Sequence, residues 1–171
     1  GLNTSEFPAT VDLFEVPKGN ARKILEQGHD LGLVNWSKNK QLNFHSYNQA
    51  RYFSGNWLEE YAWLCAQPVV FQEIACNVRF SNLAKNASDN TADNEIDLLA
   101  VHANAMLAVE CKAASQAQKD DVSQNMFHKL SSVAHRAGGL MCSKLFLSAF
   151  SMTYKNGKDI ASLNHAKEQN I

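Results

Sequence analysis

Asp97, Glu110 and Lys112 are the residues whose types and spacing could do chemistry: an acid, then one hairpin's length on a second acid, with a lysine two positions after it. All three sit in apolar sequence. Ile96, Leu98, Leu99, Ala100 and Val101 surround the first, and Met106, Leu107, Ala108 and Val109 lead into the others, so both runs read as buried strands. Ala103-Asn104 between them suits a two-residue turn, because Asn tolerates a left-handed backbone. With that loop His102 pairs with Ala105 and Asp97 comes to lie opposite Glu110. Opposed residues share a face, as do residues two apart, so Asp97, Glu110 and Lys112 are expected on one side of the sheet. Two facing carboxylates repel. A divalent cation between them, with Lys112 alongside, resolves the repulsion.

The surrounding elements must hold that hairpin. Residues 1–20 read as an irregular arm, Ala21 to Gly32 as a helix on Ile24, Leu25 and Leu31, and Leu33–Trp36 with Gln41–Phe44 as a short wing. Tyr47 to Gln67 reads as one helix whose buried stripe is Ala50, Phe53, Trp57, Tyr61 and Leu64. Glu59 and Glu60 on it lie about 100° apart, so one faces the sheet and the other water. Val69 to Phe80 reads as a strand that starts after Pro68, and Ser81 to Asn94 as a polar loop. A helix from Asp120 or Asp121 to Ala137 stops at Gly138-Gly139 and buries Val122, Met126, Leu130 and Val133. Lys144 to Phe150 is the next strand, and a last helix begins near Lys158.

Acid followed by Glu-x-Lys on neighbouring strands resembles the PD-(D/E)xK nuclease superfamily. With their flanks, GNWLEEY (Gly55 to Tyr61), NEIDLLAV (Asn94 to Val101), AVECKA (Ala108 to Ala113) and FHKLSSVAHRAGG (Phe127 to Gly139) look like one family in particular. It comprises CRISPR-associated proteins that join an N-terminal nucleotide-sensing (CARF) domain, through a winged-helix-like segment, to a C-terminal metal-dependent nuclease activated by cyclic oligoadenylate. The resemblance implies an α/β fold: a restriction-endonuclease-like core, a mixed central sheet flanked by helices, at residues 47–171. It implies a partial winged-helix-like segment at residues 1–46. It selects Glu59 as the inward acid, and gives Asp97, Glu110 and the backbone carbonyl of Cys111 as ligands of Mg²⁺ or Mn²⁺. Lys112 would orient or help deprotonate the attacking water. The chain departs from the family at Phe127-His128, where an aromatic such as Tyr is usual, and no stretch of it reads as the sensor.

That resemblance, with an opening Gly1 and an uncapped final helix, leads to the expectation of the C-terminal part of a longer, homodimeric protein that responds to cyclic oligoadenylate through a sensor outside this chain. Nucleic acid, RNA or DNA, is the expected substrate. The alternative is a degenerate nuclease fold that binds nucleic acid or a partner protein without cutting.

Composition narrows the setting. The 171 residues, 45% of them apolar, suffice for one proper core and a small accessory unit. No run is long enough to span a membrane, and Cys65, Cys76, Cys111 and Cys142 are scattered without metal-site spacing, as expected of small buried hydrophobes in a reducing cytoplasm. A formal charge of −1 excludes a generally basic nucleic-acid binder. The charge is uneven, however: 8 Lys+Arg against 12 Asp+Glu up to Val109, and 8 against 5 from Glu110 on. Lys112, Lys119, Lys129, Arg136 and Lys144 could form a local phosphate track, with Gln124 beside it. His102 is expected on the opposite face from Asp97, and His128 and His135 on a polar helix face.

Overall fold

The computed structural model describes residues 7–80, 94–113, 120–149, 161–168 and 170–171. They form two compact units, Gly1–Trp57 and Leu58–Ile171, whereas the boundary expected from sequence is at residue 46.

In the first unit, β1 (Ala9–Asp12), β2 (Asn35–Trp36) and β3 (Gln41–Phe44) make a three-stranded sheet in the order β1-β3-β2, and α1 (Gly19–Asp30) precedes β2. The expected strand pair is present as antiparallel β2 and β3, and the expected irregular arm contains β1, which pairs antiparallel with β3. Leu25, Val34, Trp36, Leu42, Phe44 and Ala50 form its core, while Ile24 and Leu31 are exposed, against expectation. A capping box at Ser46 and Gln49 starts α2 (Tyr47–Arg51).

The single helix expected over Tyr47 to Gln67 is instead interrupted. A π-helical turn, Tyr52–Asn56, with non-helical backbone at Gly55, separates α2 from α3 (Trp57–Ala66). With the helix broken at Gly55, α3 does not continue the expected stripe: Trp57, Tyr61 and Leu64 are 39%, 55% and 53% exposed. Leu58, Ala62, Trp63 and Ala66 pack inward in their place.

The second unit is built on a four-stranded mixed sheet, β4 (Glu73–Phe80), β5 (Asn94–His102), β6 (Ala105–Lys112) and β7 (Cys142–Ser148), in that spatial order. The first three strands are antiparallel neighbours and β7 is parallel to β6, so the β6–β7 connection needs a crossover, which α4 (Asp120–Gly138) supplies. β4 starts later than expected, leaving Val69 and Val70 exposed. The sheet is covered on both sides. Leu58, Leu98, Ala100, Val109 and Cys111 cluster on the α3 side, and Ala108, Leu130, Val133, Ala134 and Cys142 on the α4 side.

The two glycines that end α4 serve different needs. Gly139 adopts the left-handed φ of +57° that stops a helix. At Gly138 a side chain would meet Met106 Sδ at 2.7 Å and Cys142 Cβ at 2.9 Å, so its bare Cα lets the helix end approach the strands. α5 (Ala161–Glu168) completes the unit. Among the described residues no helix is long and apolar enough to cross a membrane. The polar loop at 81–93 and Lys119 lie outside the described residues.

Candidate active site

The β5–β6 hairpin has the register expected from its sequence: His102 pairs with Ala105 across a turn in which Ala103 and Asn104 both take left-handed φ, 46° and 66°. That pair of angles suits the right-handed twist of the strands. The ladder runs back as far as Leu98↔Val109 and there it ends. The next two residues are Asp97 and Glu110. Instead of a backbone pair, the Cys111 N–H donates to Asp97 Oδ2 at 2.6 Å, so the acid's side chain stands where a strand carbonyl would.

Side-chain alternation fails at the same point. Ile96 packs in the α4-side cluster and Leu98 in the α3-side cluster, although residues two apart on a regular strand share a face. Asp97 therefore does not simply add to the face shared by Glu110 and Lys112, as the sequence pattern suggests. It turns into the gap between the strands. Glu110 is buried, 7% exposed at its side chain, and its Oε1 lies 2.7 Å from the Lys112 ammonium, which is 36% exposed. The Lys112 carbonyl accepts the Ala149 N–H on the β7 side. Successive carbonyls point to opposite edges of a strand, so that of Cys111 is directed to the β5 side, where Asp97 stands.

The electrostatics reflect this crowding. Burial, followed by the charge of Glu110, pushes the Asp97 carboxyl up from 3.8 to about 6; the Cys111 amide and Lys112 oppose the shift and Glu59 adds to it. Burial works against the charged ammonium of Lys112, but the hydrogen bond and charge of Glu110, with Asp97 and Glu59 beyond, outweigh it and hold the pKa above the usual lysine value. Burial and the neighbouring Asp97 drive the Cys111 thiol up to about 12, which leaves it without nucleophilic character.

Glu59 and Glu60 part as their spacing requires. Glu59 is partly buried near Asp97, Cys76 and Cys111, and Glu60 is exposed. The structure thus brings Glu59, Asp97, Glu110 and Lys112 together. Of the residues suggested as phosphate contacts, Lys112 is one of these four. Lys129 and Arg136 lie on the exposed side of α4, Lys144 donates to Ser131 Oγ at 3.3 Å, and the Gln124 side chain lies outside the described residues. His102, His128 and His135 are exposed. Phe127, where the family pattern favours an aromatic with a hydroxyl, is buried edge-on against Phe146 at 4.8 Å. Cys65 and Cys76 are exposed, correcting the expectation that all four cysteines are buried.

Sequence reasoning missed two residues. Asn77 of β4 stands opposite Asp97, and Glu95 of β5, paired with Arg79 at 3.3 Å, lies beside it. The carboxamide of Asn77, its nitrogen turned to satisfy both acceptors, donates to Glu59 Oε2 at 3.2 Å and to Glu95 Oε1 at 3.1 Å. The signal available was the parity of Glu95 with Asp97.

These donors fit a hard divalent cation. Among the described residues no three His, Cys, Asp or Glu side chains close tightly enough to cage an ion by themselves. Mg²⁺ commonly takes only one or two carboxylates, with carbonyls and waters completing its shell. Burial first, and then the charge of Glu110, push the Asp97 carboxyl up, and the Cys111 amide and Lys112 only partly offset them.

Comparison with known proteins gives one family. The family described as Card1-like, endonuclease domain, matches residues 46–168. Among solved structures, Can2 from Sulfobacillus thermosulfidooxidans, in complex with cyclic tetra-adenylate, superposes with a TM-score of 0.68 at 19% identity over 94% of this chain and 42% of its own. Protein VC1899 from Vibrio cholerae gives 0.69 at 19% identity over 95% and 41%. The chain thus spans about two fifths of the length of either, and at that identity the likeness is one of fold. No curated protein sequence matches.

Proposed function

Because the chain belongs to the Card1-like endonuclease domain family, we propose that it hydrolyses phosphodiester bonds in nucleic acid with Mg²⁺ or Mn²⁺ at the Asp97–Glu110 site, as the effector domain of a CRISPR-associated defence protein. In this reading the mixed sheet is a restriction-endonuclease-like core of PD-(D/E)xK type and the first unit a winged-helix-like adaptor. One observation carries it: carboxylates from two strands, Glu110 buried and Asp97 partly so, crowd together where the ladder opens, with Lys112 in contact with Glu110.

The metal ligands would be the Asp97 and Glu110 carboxylates and the Cys111 carbonyl, with water in the remaining positions. A bound divalent ion supplies acidification of a water and neutralisation of phosphate charge. Lys112, 2.7 Å from Glu110, would orient or help deprotonate the nucleophilic water and stabilise charge on the phosphate. Glu59 would position water or a second ion. Lys129, Arg136 and Gln124 on α4 are the proposed phosphate contacts, the exposure of the first two leaving them open to a polyanion. Can2 was solved with cyclic tetra-adenylate, and by that likeness a cyclic oligoadenylate would activate the whole homodimeric protein through a sensor outside these residues.

The test is incubation with labelled single-stranded RNA, single-stranded DNA and supercoiled plasmid in Mn²⁺, Mg²⁺ or EDTA, beside Asp97→Ala. Metal-dependent cleavage lost in the variant is expected and names the substrate. Cleavage that persists in EDTA or in Asp97→Ala would reject the assigned site.

A further inference from the structure

β4 carries a residue that the proposed chemistry does not use. Asn77 lies in mid-strand with a left-handed φ of 53°, and the flanking pairs Cys76↔Leu98 and Val78↔Ile96 set it opposite Asp97. The ladder skips that pair. A left-handed residue inside a strand forfeits pairing and costs backbone energy, so it persists only where the surroundings require it. After glycine, asparagine bears that conformation with least strain.

The kink has a chemical consequence. It brings the Asn77 carboxamide between two acids, 3.2 Å from Glu59 Oε2 and 3.1 Å from Glu95 Oε1. Glu59 comes from α3 and Glu95 from β5, and Arg79 holds Glu95 from the other side. Carboxylates this close to Asp97 would drift apart in water. A cation on Glu59, as Arg79 is on Glu95, would stand against a metal ion at the site. A neutral amide donates hydrogen bonds without adding positive charge.

We infer that Asn77 is a positioning residue: its carboxamide, aimed by the left-handed backbone, holds the Glu59 carboxylate at the site against the repulsion of Asp97 and Glu95. The inference deepens the nuclease reading and rests on it for its activity measurement, though the contact itself is independent of it.

Asn77→Gly keeps the backbone conformation and removes the amide, whereas Asn77→Asp keeps both shape and left-handed tolerance but places a further carboxylate between the acids. Mn²⁺-dependent cleavage should fall roughly 10- to 100-fold in either, the range for residues that orient metal-site groups. In a Glu59→Ala background the Asn77→Gly change should cost less than about twofold, because its target is gone. A purely structural role predicts the same loss in both backgrounds, and that result overturns the proposal.

Urea midpoints in EDTA for the wild type, Asn77→Gly, Glu59→Ala and the double variant supply a second measure that needs no cleavage. Midpoint shifts that fall short of adding support the tether, and additive shifts reject it. If the wild type cuts nothing, the nuclease reading falls and the urea cycle alone decides the role of Asn77.

Discussion

The two ends of the β5–β6 hairpin obey different rules. At the turn, pairing is regular from His102↔Ala105 to Leu98↔Val109, side chains alternate strictly, and Leu98, Ala100 and Val109 are packed out of water. About 17 Å away, at Asp97 and Glu110, the ladder opens, alternation fails, and a buried position, Glu110, holds charge. The regular end is what makes the irregular one possible. Holding like charges together costs free energy, and here the neighbouring apolar ladder and the helices over it supply the stability that offsets it. The site is therefore a strained margin of a well-packed sheet, a common relation between function and fold.

The strongest way to break this contrast is to remove the charge and keep the shape. Asp97→Asn can still accept the Cys111 N–H, yet it loses the carboxylate. Cleavage should fall by roughly three orders of magnitude, about 4 kcal/mol of transition-state stabilisation. Stability in EDTA should move the opposite way. The folded Asp97 has its pKa raised to about 6, so between pH 4 and 6 the folded chain binds more protons than the unfolded one. Its contribution is most favourable below pH 4 and is lost as pH rises through 6, by up to about 3 kcal/mol. Urea midpoints of the wild type and Asp97→Asn from pH 4 to 8 should diverge over that window, with the variant the more stable at the top. Parallel curves would mean that Asp97 is not crowded.

Much of the regular end was legible in sequence and less of the irregular one, for a physical reason. Apolar alternation and the turn-forming Ala103-Asn104 fix a register locally, so the pairing could be read from residue types alone. The C-terminal end of α4 was legible too, because Gly139 acts through its own backbone. Asn77 was not. A single Asn in a strand pattern ordinarily marks solvent, and nothing in its own segment signals the left-handed φ that sets it between Glu59 of α3 and Glu95 of β5. The break before α3 was hidden likewise, since Tyr47–Leu64 fits an uninterrupted helical period although Gly55 is non-helical. Spacing showed that one of Glu59 and Glu60 must face inward; family likeness, not spacing, favoured Glu59.

Lys112→Met tests whether Lys112 serves the site as a charge or as packing. It leaves the Glu110 carboxylate buried without its 2.7 Å partner, and because the Lys112 side chain is 36% exposed the cost falls well below the roughly 3–5 kcal/mol of a fully buried pair. In EDTA the thermal midpoint should drop, and saturating Mn²⁺ should restore part of it, because a metal ion can replace the missing positive charge. Cleavage should still be down roughly 10²- to 10³-fold, since water orientation and phosphate stabilisation are not restored. Unimpaired cleavage in this variant would sink the role given to Lys112, and an Mn²⁺-insensitive midpoint would sink the metal site.

The smallest effect is expected at the other end of the same strands. Ala103 sits at φ 46°, where an alanine Cβ is crowded, and its N–H is already satisfied by Gln72 Oε1 at 3.0 Å. Ala103→Gly keeps that hydrogen bond and removes roughly 1 kcal/mol of strain. The greater freedom of glycine in the unfolded chain takes back about half of it. A net gain near 0.5 kcal/mol should raise the thermal midpoint by about 1–2 °C. Cleavage should stay within about twofold of wild type, because sites farther apart than roughly 10 Å act independently unless a shared element couples them. If relieving the turn alters cleavage more than that, the hairpin transmits strain along its length, and the opened ladder at Asp97 is set partly by the turn rather than by the charges that meet there.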